Sequence, residues 1–203
     1  MNNGLIIVAG ETASGKDTFV NKLVKEYPNK FRAVCSYTTR PKRENEIEGK
    51  DHYFVNKELF HKLKSTMDST NSTLAYTKIS SSDITDGYEY MASTDELKKS
   101  NIYILDPKGI KNLKELFPDK ELFIIYITAN LSDRVERCRK RSDFKTEFKT
   151  RVMNEYEQFL DFNLEQGYDL KINNNNESEF GYSLFRLACV NFINQCKKKE
   201  MDE

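Results

Sequence analysis

Short apolar runs alternate along the chain with stretches whose apolar positions recur at helical spacing. Leu5-Ile6-Ile7-Val8-Ala9, Ile102-Tyr103-Ile104-Leu105 and Leu122-Phe123-Ile124-Ile125-Tyr126-Ile127 lack polar alternation, which predicts strands buried on both faces, as in a parallel sheet. Ala33-Val34-Cys35-Ser36 and Tyr168-Asp169-Leu170-Lys171-Ile172-Asn173 read as shorter strands. Helical spacing links Phe19, Val20, Leu23 and Val24, then Leu59, Phe60 and Leu63. Residues 95–100 read as a short helix, and a further helix from about Ser132 carries Arg134, Arg137 and Arg141 along one face. Residues 151–164 form an amphipathic pattern through Val152, Tyr156, Phe159 and Leu160. A closing helix over 178–196 carries Leu184, Leu187, Val190, Phe192 and Ile193, and Lys197-Lys198-Lys199 begins a frayed tail. The polar runs 65–73 and 80–83 show no period and read as loops or flexible insertions. Strands alternating with helices predict an α/β fold, a parallel sheet flanked by helices with right-handed crossovers.

Between the first strand and the first helix lies Gly10-Glu11-Thr12-Ala13-Ser14-Gly15-Lys16-Asp17-Thr18. Strand, glycine-bracketed turn, lysine and helix in this register are the spacing of a phosphate-binding P-loop. Backbone N–H groups wrap a phosphate there, and the helix N-terminus adds partial positive charge. Glu11, Thr12, Ala13, Ser14, Gly15, Lys16, Asp17 and Thr18 are therefore the expected ATP-binding residues, with Lys16 reaching the β- and γ-phosphates. The motif usually places a hydroxyl on Mg²⁺ where this chain has Asp17; a carboxylate is also a hard oxygen ligand, so Asp17 is a candidate metal ligand with Thr18 beside it.

Lys+Arg and Asp+Glu are 32 each, so the net charge is zero, which argues against a general nucleic-acid binder. No leader pattern and no apolar run of membrane-spanning length is present, so a cytoplasmic protein with no membrane partner is expected. Cys35, Cys138, Cys189 and Cys196 form no C-x-x-C pair and read as reduced thiols. Length fits one domain with inserted lids. Past the second strand, Tyr37-Thr38-Thr39-Arg40-Pro41-Lys42-Arg43 puts two arginines and several hydroxyls on a loop, suited to an anion or simply to solvent. Asp106, at the C-terminal end of a central strand, either faces the ligand crevice of an open α/β sheet or caps the following helix.

Thr38-Thr39-Arg40, Arg43, Glu46, Gly49-Lys50-Asp51 and Tyr53-Phe54-Val55, behind that P-loop, resemble the signature segment of guanylate kinases. The resemblance implies a P-loop kinase fold in one domain: a core of 1–35, 94–136 and 152–197, an acceptor-binding lobe of 36–93 and a lid of 137–151. It implies that Arg40 and Arg43 hold the acceptor phosphate with Ser36 beside them, and that His52, standing where the family usually has tyrosine, and Tyr53 are nearby. Residues 74–77 and 87–93 line up with the base-reading segments. Ala75 and Ala92 stand where relatives carry a glutamate and a serine, leaving Tyr90 as the retained contact. By the same resemblance Asp106 lies near the acceptor and the metal, and Asn173 near the adenine. Arg137, Arg141 and Arg151 become lid arginines that neutralise charge on the transferring phosphoryl.

The expected activity is Mg²⁺- and ATP-dependent phosphoryl transfer to a nucleoside monophosphate, GMP or dGMP, by a monomer or homodimer. Lys16, Arg40, Arg137, Arg141 and Arg151 are the expected catalytic residues. A second expectation keeps the donor site and changes the acceptor to another nucleotide or a ribose bisphosphate, since the Gly-Lys-Asp loop also resembles kinases of those substrates. A third is a non-catalytic phosphopeptide-binding module, against which the retained Lys16 speaks.

Overall fold

The computed structural model describes residues 4–44, 46–81, 84–140, 144–177 and 179–202. In chain order the elements begin with β1 (Gly4–Ala9), α1 (Lys16–Glu26), β2 (Ser36–Thr38), β3 (His52–Phe54) and α2 (Lys57–Ser69). They continue with β4 (Thr73–Ser81), β5 (Ile84–Ser93), α3 (Thr94–Lys99), β6 (Ile102–Ile104), α4 (Pro107–Leu116) and β7 (Glu121–Thr128). The last are α5 (Leu131–Arg139), α6 (Phe144–Leu164), β8 (Leu170–Asn173) and α7 (Glu179–Asp202). The chain forms two compact units, residues 1–33 with 101–203, and residues 34–100.

The larger unit is built on a four-stranded sheet in the order β6-β1-β7-β8, parallel throughout. Its strands are the apolar runs of the sequence, and β1 is wholly buried. On one face Ile6, Val8, Ile102, Ile125, Ile127 and Ile172 meet Phe19, Val20 and Leu23 of α1 and Phe185, Cys189 and Ile193 of α7. Each fully buried side chain of this size contributes about 1.5–3 kcal/mol over leaving it in water. On the opposite face Tyr126 stacks on Phe159 of α6 at 5.7 Å and meets Phe162 edge-on at 5.5 Å. α4 packs against α6 on that side. The parallel sheet flanked by helices is thus the architecture of this unit.

The smaller unit holds a mixed sheet in the order β3-β2-β5-β4, with β2 and β3 parallel and the β2–β5 and β4–β5 pairs antiparallel. Several expectations for individual elements are corrected. The strand expected over 33–36 is displaced to Ser36–Thr38, and Ala33 makes only an isolated bridge to Ile102. The polar run from 65 is helical as far as Ser69, because its side chains serve the helix: Thr66 Oγ1 donates to the Lys62 carbonyl at 3.1 Å and Lys64 pairs with Asp68 at 2.6 Å. Ser80 and Ser81 belong to β4, while 82 and 83 lie outside the described residues. Residues 144–150, expected as a lid loop, are the first turns of α6, and the lysines at 197–199 continue α7 instead of fraying.

Candidate active site

The turn after β1 is closed by two glycines for different reasons. A Cβ on Gly10 would stand 2.3 Å from the Ile127 carbonyl oxygen, so β1 passes β7 here at backbone distance. Gly15 has φ 98°, and a Cβ there would lie 2.3 Å from Asn174 Nδ2. Ala13 also adopts a positive φ, 64°. Such alternation aims successive amides into one concavity. The Ser14 hydroxyl is buried there without a hydrogen bond. Lys16 opens α1 with its Nζ 3.4 Å from the exposed carboxylate of Asp17.

Outside the loop, its carbonyls are gripped by side chains from far along the chain. Arg137 of α5 donates to the carbonyls of Ala13 at 3.2 Å and Ser14 at 3.1 Å, and to that of Asn174. Arg134, one turn earlier, donates Nε–H to the Thr12 carbonyl at 2.8 Å and pairs with Glu11 at 3.5 Å. Asn174 is buried and donates Nδ2–H to Ser14 O at 2.8 Å, with its own amide on Thr128 O. Glu155 of α6 accepts from the Thr12 amide at 2.7 Å and from its hydroxyl at 2.6 Å. Arg151 lies 3.7 Å from Glu155. Arg137 and Arg151 therefore both stand beside the phosphate loop, while Arg141 lies outside the described residues. Burial, and then Glu11, push the Tyr126 phenol well above its ordinary pKa.

Asn174 is the asparagine that reaches the loop; its neighbour Asn173, expected near the adenine, accepts from the Asn175 amide at 3.1 Å. Asn173 ends β8 on the exposed surface. Asp106 acts as a helix cap: its Oδ1 accepts from Gly109 N at 2.6 Å, with Pro107 opening α4. The cap uses one of the carboxylate's several acceptor positions. Glu155 and Asn174 were not legible beforehand, since nothing local marks a contact spanning 143 or 160 residues.

In the smaller unit, register places Ser36, Thr38, His52, Phe54, Tyr90, Ala92, Ala75 and Thr77 on one face of the sheet. Arg40 is buried beside it, its guanidinium forked onto Glu46 at 2.7 and 3.0 Å, on the Pro41 carbonyl at 2.7 Å and 5.6 Å from the Phe54 ring centre. Burial pulls the Arg40 pKa down, but the Glu46 hydrogen bond and the neighbouring Tyr90 and Glu46 outweigh it and hold it above its usual value. Burial likewise pushes Glu46 up, and Arg40 and the Arg43 amide override it downward. Arg43 Nη1 is 3.7 Å from the same carboxylate. Ser36 Oγ and His52 Nδ1 are 3.1 Å apart, and the His52 ring lies 5.7 Å from that of Tyr90.

This face thus gathers Ser36, Arg40, His52 and Tyr90, but not Tyr53, which pairs with Tyr37 on the other face at 4.8 Å between rings. Ala75 and Ala92 are directly paired across β4 and β5, and Thr77, beside Tyr90, supplies a hydroxyl on the same face. The reverse face carries Glu89, which accepts from Tyr76 OH at 2.7 Å and lies 2.8 Å from His61 Nε2.

A family model described as guanylate kinase matches residues 2–184. A guanylate kinase of Wolinella succinogenes is 31% identical over 153 residues, 75% of this chain and 69% of that protein. One of Protochlamydia amoebophila is 28% identical over 195 residues, covering 96% of this chain and 94% of that protein. Among solved structures, guanylate kinase from Anaplasma phagocytophilum superimposes with a TM-score of 0.62 over 95% of this chain and 88% of that one, at 21% identity, a likeness of fold.

Proposed function

The chain belongs to the guanylate kinase family, and we propose that it transfers the γ-phosphoryl group of ATP to the phosphate of a nucleoside monophosphate, GMP or dGMP, giving the diphosphate. The observation that carries this is the complete phosphate loop: Gly10 and Gly15 leave no room for a Cβ, Lys16 opens the helix, and the Ser14 hydroxyl is buried without a partner. These features fit a polyphosphate. Asp17, exposed at the start of α1, would hold Mg²⁺ together with phosphate oxygens, since among the described residues no three His, Cys, Asp or Glu groups cluster to hold a metal by themselves. Bound there, Mg²⁺ supplies charge neutralisation to the donor.

The unit 34–100 is the acceptor lobe in this reading. Three N–H groups of Arg40 are engaged by Glu46 and Pro41, which orients the remainder of its fork for the acceptor phosphate, with Arg43, Ser36, His52 and Tyr90 around it. Arg137 and Arg151, with Arg141, neutralise charge developing on the transferred group. No covalent intermediate is required: binding and charge stabilisation suffice. Asp106 orders α4 and offers its second carboxylate oxygen to the acceptor or the metal. The same reading makes the protein a cytoplasmic monomer or homodimer acting on free nucleotides; among the described residues no helix is long and apolar enough to cross a membrane.

The test is ADP release from ATP·Mg²⁺ against GMP, dGMP, AMP, CMP, UMP, dTMP and ribose 1,5-bisphosphate. Turnover confined to GMP and dGMP is expected. Turnover with another acceptor alone would overturn the assignment.

A further inference from the structure

All three polar groups of Thr12, in the middle of the phosphate loop, are held from α5 and α6. Its amide and hydroxyl donate to the two oxygens of Glu155 at 2.7 and 2.6 Å, and its carbonyl accepts from Arg134 Nε at 2.8 Å. The same carboxylate is the counter-charge for two guanidiniums, Arg134 at 3.9 Å and Arg151 at 3.7 Å. Arg151 sits four residues before Glu155, on the same face of α6, and its buried Nε makes no hydrogen bond, so the ion pair with Glu155 ties its side chain. One anionic group thereby touches both the loop that grips the donor and an arginine proposed to act on the transferring phosphoryl.

We propose that Glu155 is a positioning residue of the donor site, clamping the phosphate loop at Thr12 while setting where Arg151 stands beside it. This rests on the reading of the chain as an ATP-dependent kinase. Two bonds from one carboxylate remove the rotational freedom of the Thr12 peptide, so the loop meets the polyphosphate already shaped and loses less freedom on binding. The charge is needed as well as the bonds, because without it partly buried Arg151 loses the carboxylate beside it while Arg134 keeps Glu11, so Arg151 drifts from its place. Loop shape is read out in donor affinity, and arginine placement in turnover, so the two roles separate by substitution.

Glu155→Gln keeps an oxygen for the Thr12 amide and deletes the charge. Glu155→Ala deletes both. Isothermal titration with ATP·Mg²⁺ in the absence of acceptor, together with steady-state kinetics on GMP, reads them. For Glu155→Gln the expected outcome is a kcat lower by about tenfold with the ATP dissociation constant within about threefold of wild type, on the scale of one charge-assisted contact. For Glu155→Ala the ATP dissociation constant also rises by about tenfold or more, with the GMP KM unchanged. Thr12→Val, which removes only the hydroxyl, falls between wild type and Glu155→Ala in ATP affinity and covers the case in which Glu155→Ala fails to fold. Glu155→Gln and Thr12→Val with wild-type kcat and ATP affinity but a lowered Tm would reduce Glu155 to a structural tie and overturn the proposal. Tighter ATP binding in Glu155→Ala would overturn it too, since the carboxylate would then be an occupant that competes with the donor. Wild-type protein that shows the expected affinity pattern among the variants yet leaves GMP unphosphorylated would sink the kinase assignment and leave the clamp standing.

Discussion

At the scale of single residues the site is organised by buried pairs whose members lie far apart in sequence or sit on a loop without regular structure. Arg40 illustrates the second kind. Its fork is tied to Glu46, so replacing it by alanine would strand a carboxylate that burial already disfavours, mixing a binding effect with unfolding. Arg40→Lys keeps the charge and loses the planar fork. The expected result is an acceptor KM raised by about tenfold, an ATP KM unchanged and a modest fall in Tm, measured by kinetics and thermal unfolding on the same preparation. An effect confined to the ATP KM would move Arg40 out of the acceptor site. Gly15 is a second test at this scale, because its φ of 98° and the amide of Asn174 both exclude a side chain. Gly15→Ala should cost about 1–2 kcal/mol in backbone strain and displace Asn174, abolishing ATP binding in a titration. Local backbone demands of this sort were readable, as with the glycine-bracketed turn that Gly15 closes before Lys16. Contacts were unreadable where a partner arrives from a distant helix, as with Glu155 on Thr12 or Asn174 on Ser14.

At the scale of elements, patterns that report burial were informative and patterns that report polarity were not. The runs 5–9, 102–105 and 122–127 became the parallel strands β1, β6 and β7, because nothing but a two-sided core accommodates them. The polar run 65–73 misled because serine and threonine hydroxyls can return to carbonyls one helical turn earlier, which supports a helix that their propensity alone disfavours. The strand character of 73–93 was hidden by the polar content of its sequence, although β4 and β5 are the longest strands described. That hairpin is fastened from behind by Glu89. Burial pushes its carboxyl up, and the Tyr76 hydroxyl and His61 override this and hold it below its usual range. A carboxylate lowered in the folded state adds stability above its unfolded pKa and loses it as pH falls through the lower folded value. Thermal unfolding followed downward from neutral pH should therefore show a steep loss of Tm below about pH 4 that is shallower in Glu89→Gln. Tyr76, raised to about 12 by its bond to Glu89, behaves oppositely: its contribution is fully present below the ordinary tyrosine pKa and is lost as pH rises from there through the folded value of about 12. An identical acid limb in Glu89→Gln and wild type would show that the Glu89 tie contributes nothing.

At the scale of the whole molecule, the chain is a guanylate kinase family member whose larger unit carries the complete phosphate loop and whose smaller unit carries the mixed sheet. The α/β architecture could be argued from strand–helix alternation alone, whereas the division at 33/34 and 100/101 could not, since no composition shift marks either boundary. Ala75 and Ala92, which the resemblance sets where relatives carry a glutamate and a serine, are directly paired in the β4–β5 ladder and fall on one patch with Thr77 and Tyr90, a patch that faces the base under the proposed function. The central claim is that a phosphoryl group leaves ATP and arrives on a guanine nucleotide through the loop that Lys16 closes. Its most direct measurement follows the label from γ-³²P-ATP into GDP with GMP as acceptor, in wild type and in Lys16→Ala. Label should appear in GDP with wild type and fall at least about a hundredfold in Lys16→Ala while the Tm is preserved, as expected when a charge-stabilising group is removed from the reacting phosphates. Label that never reaches GMP, or that reaches it equally well without Lys16, would contradict the account.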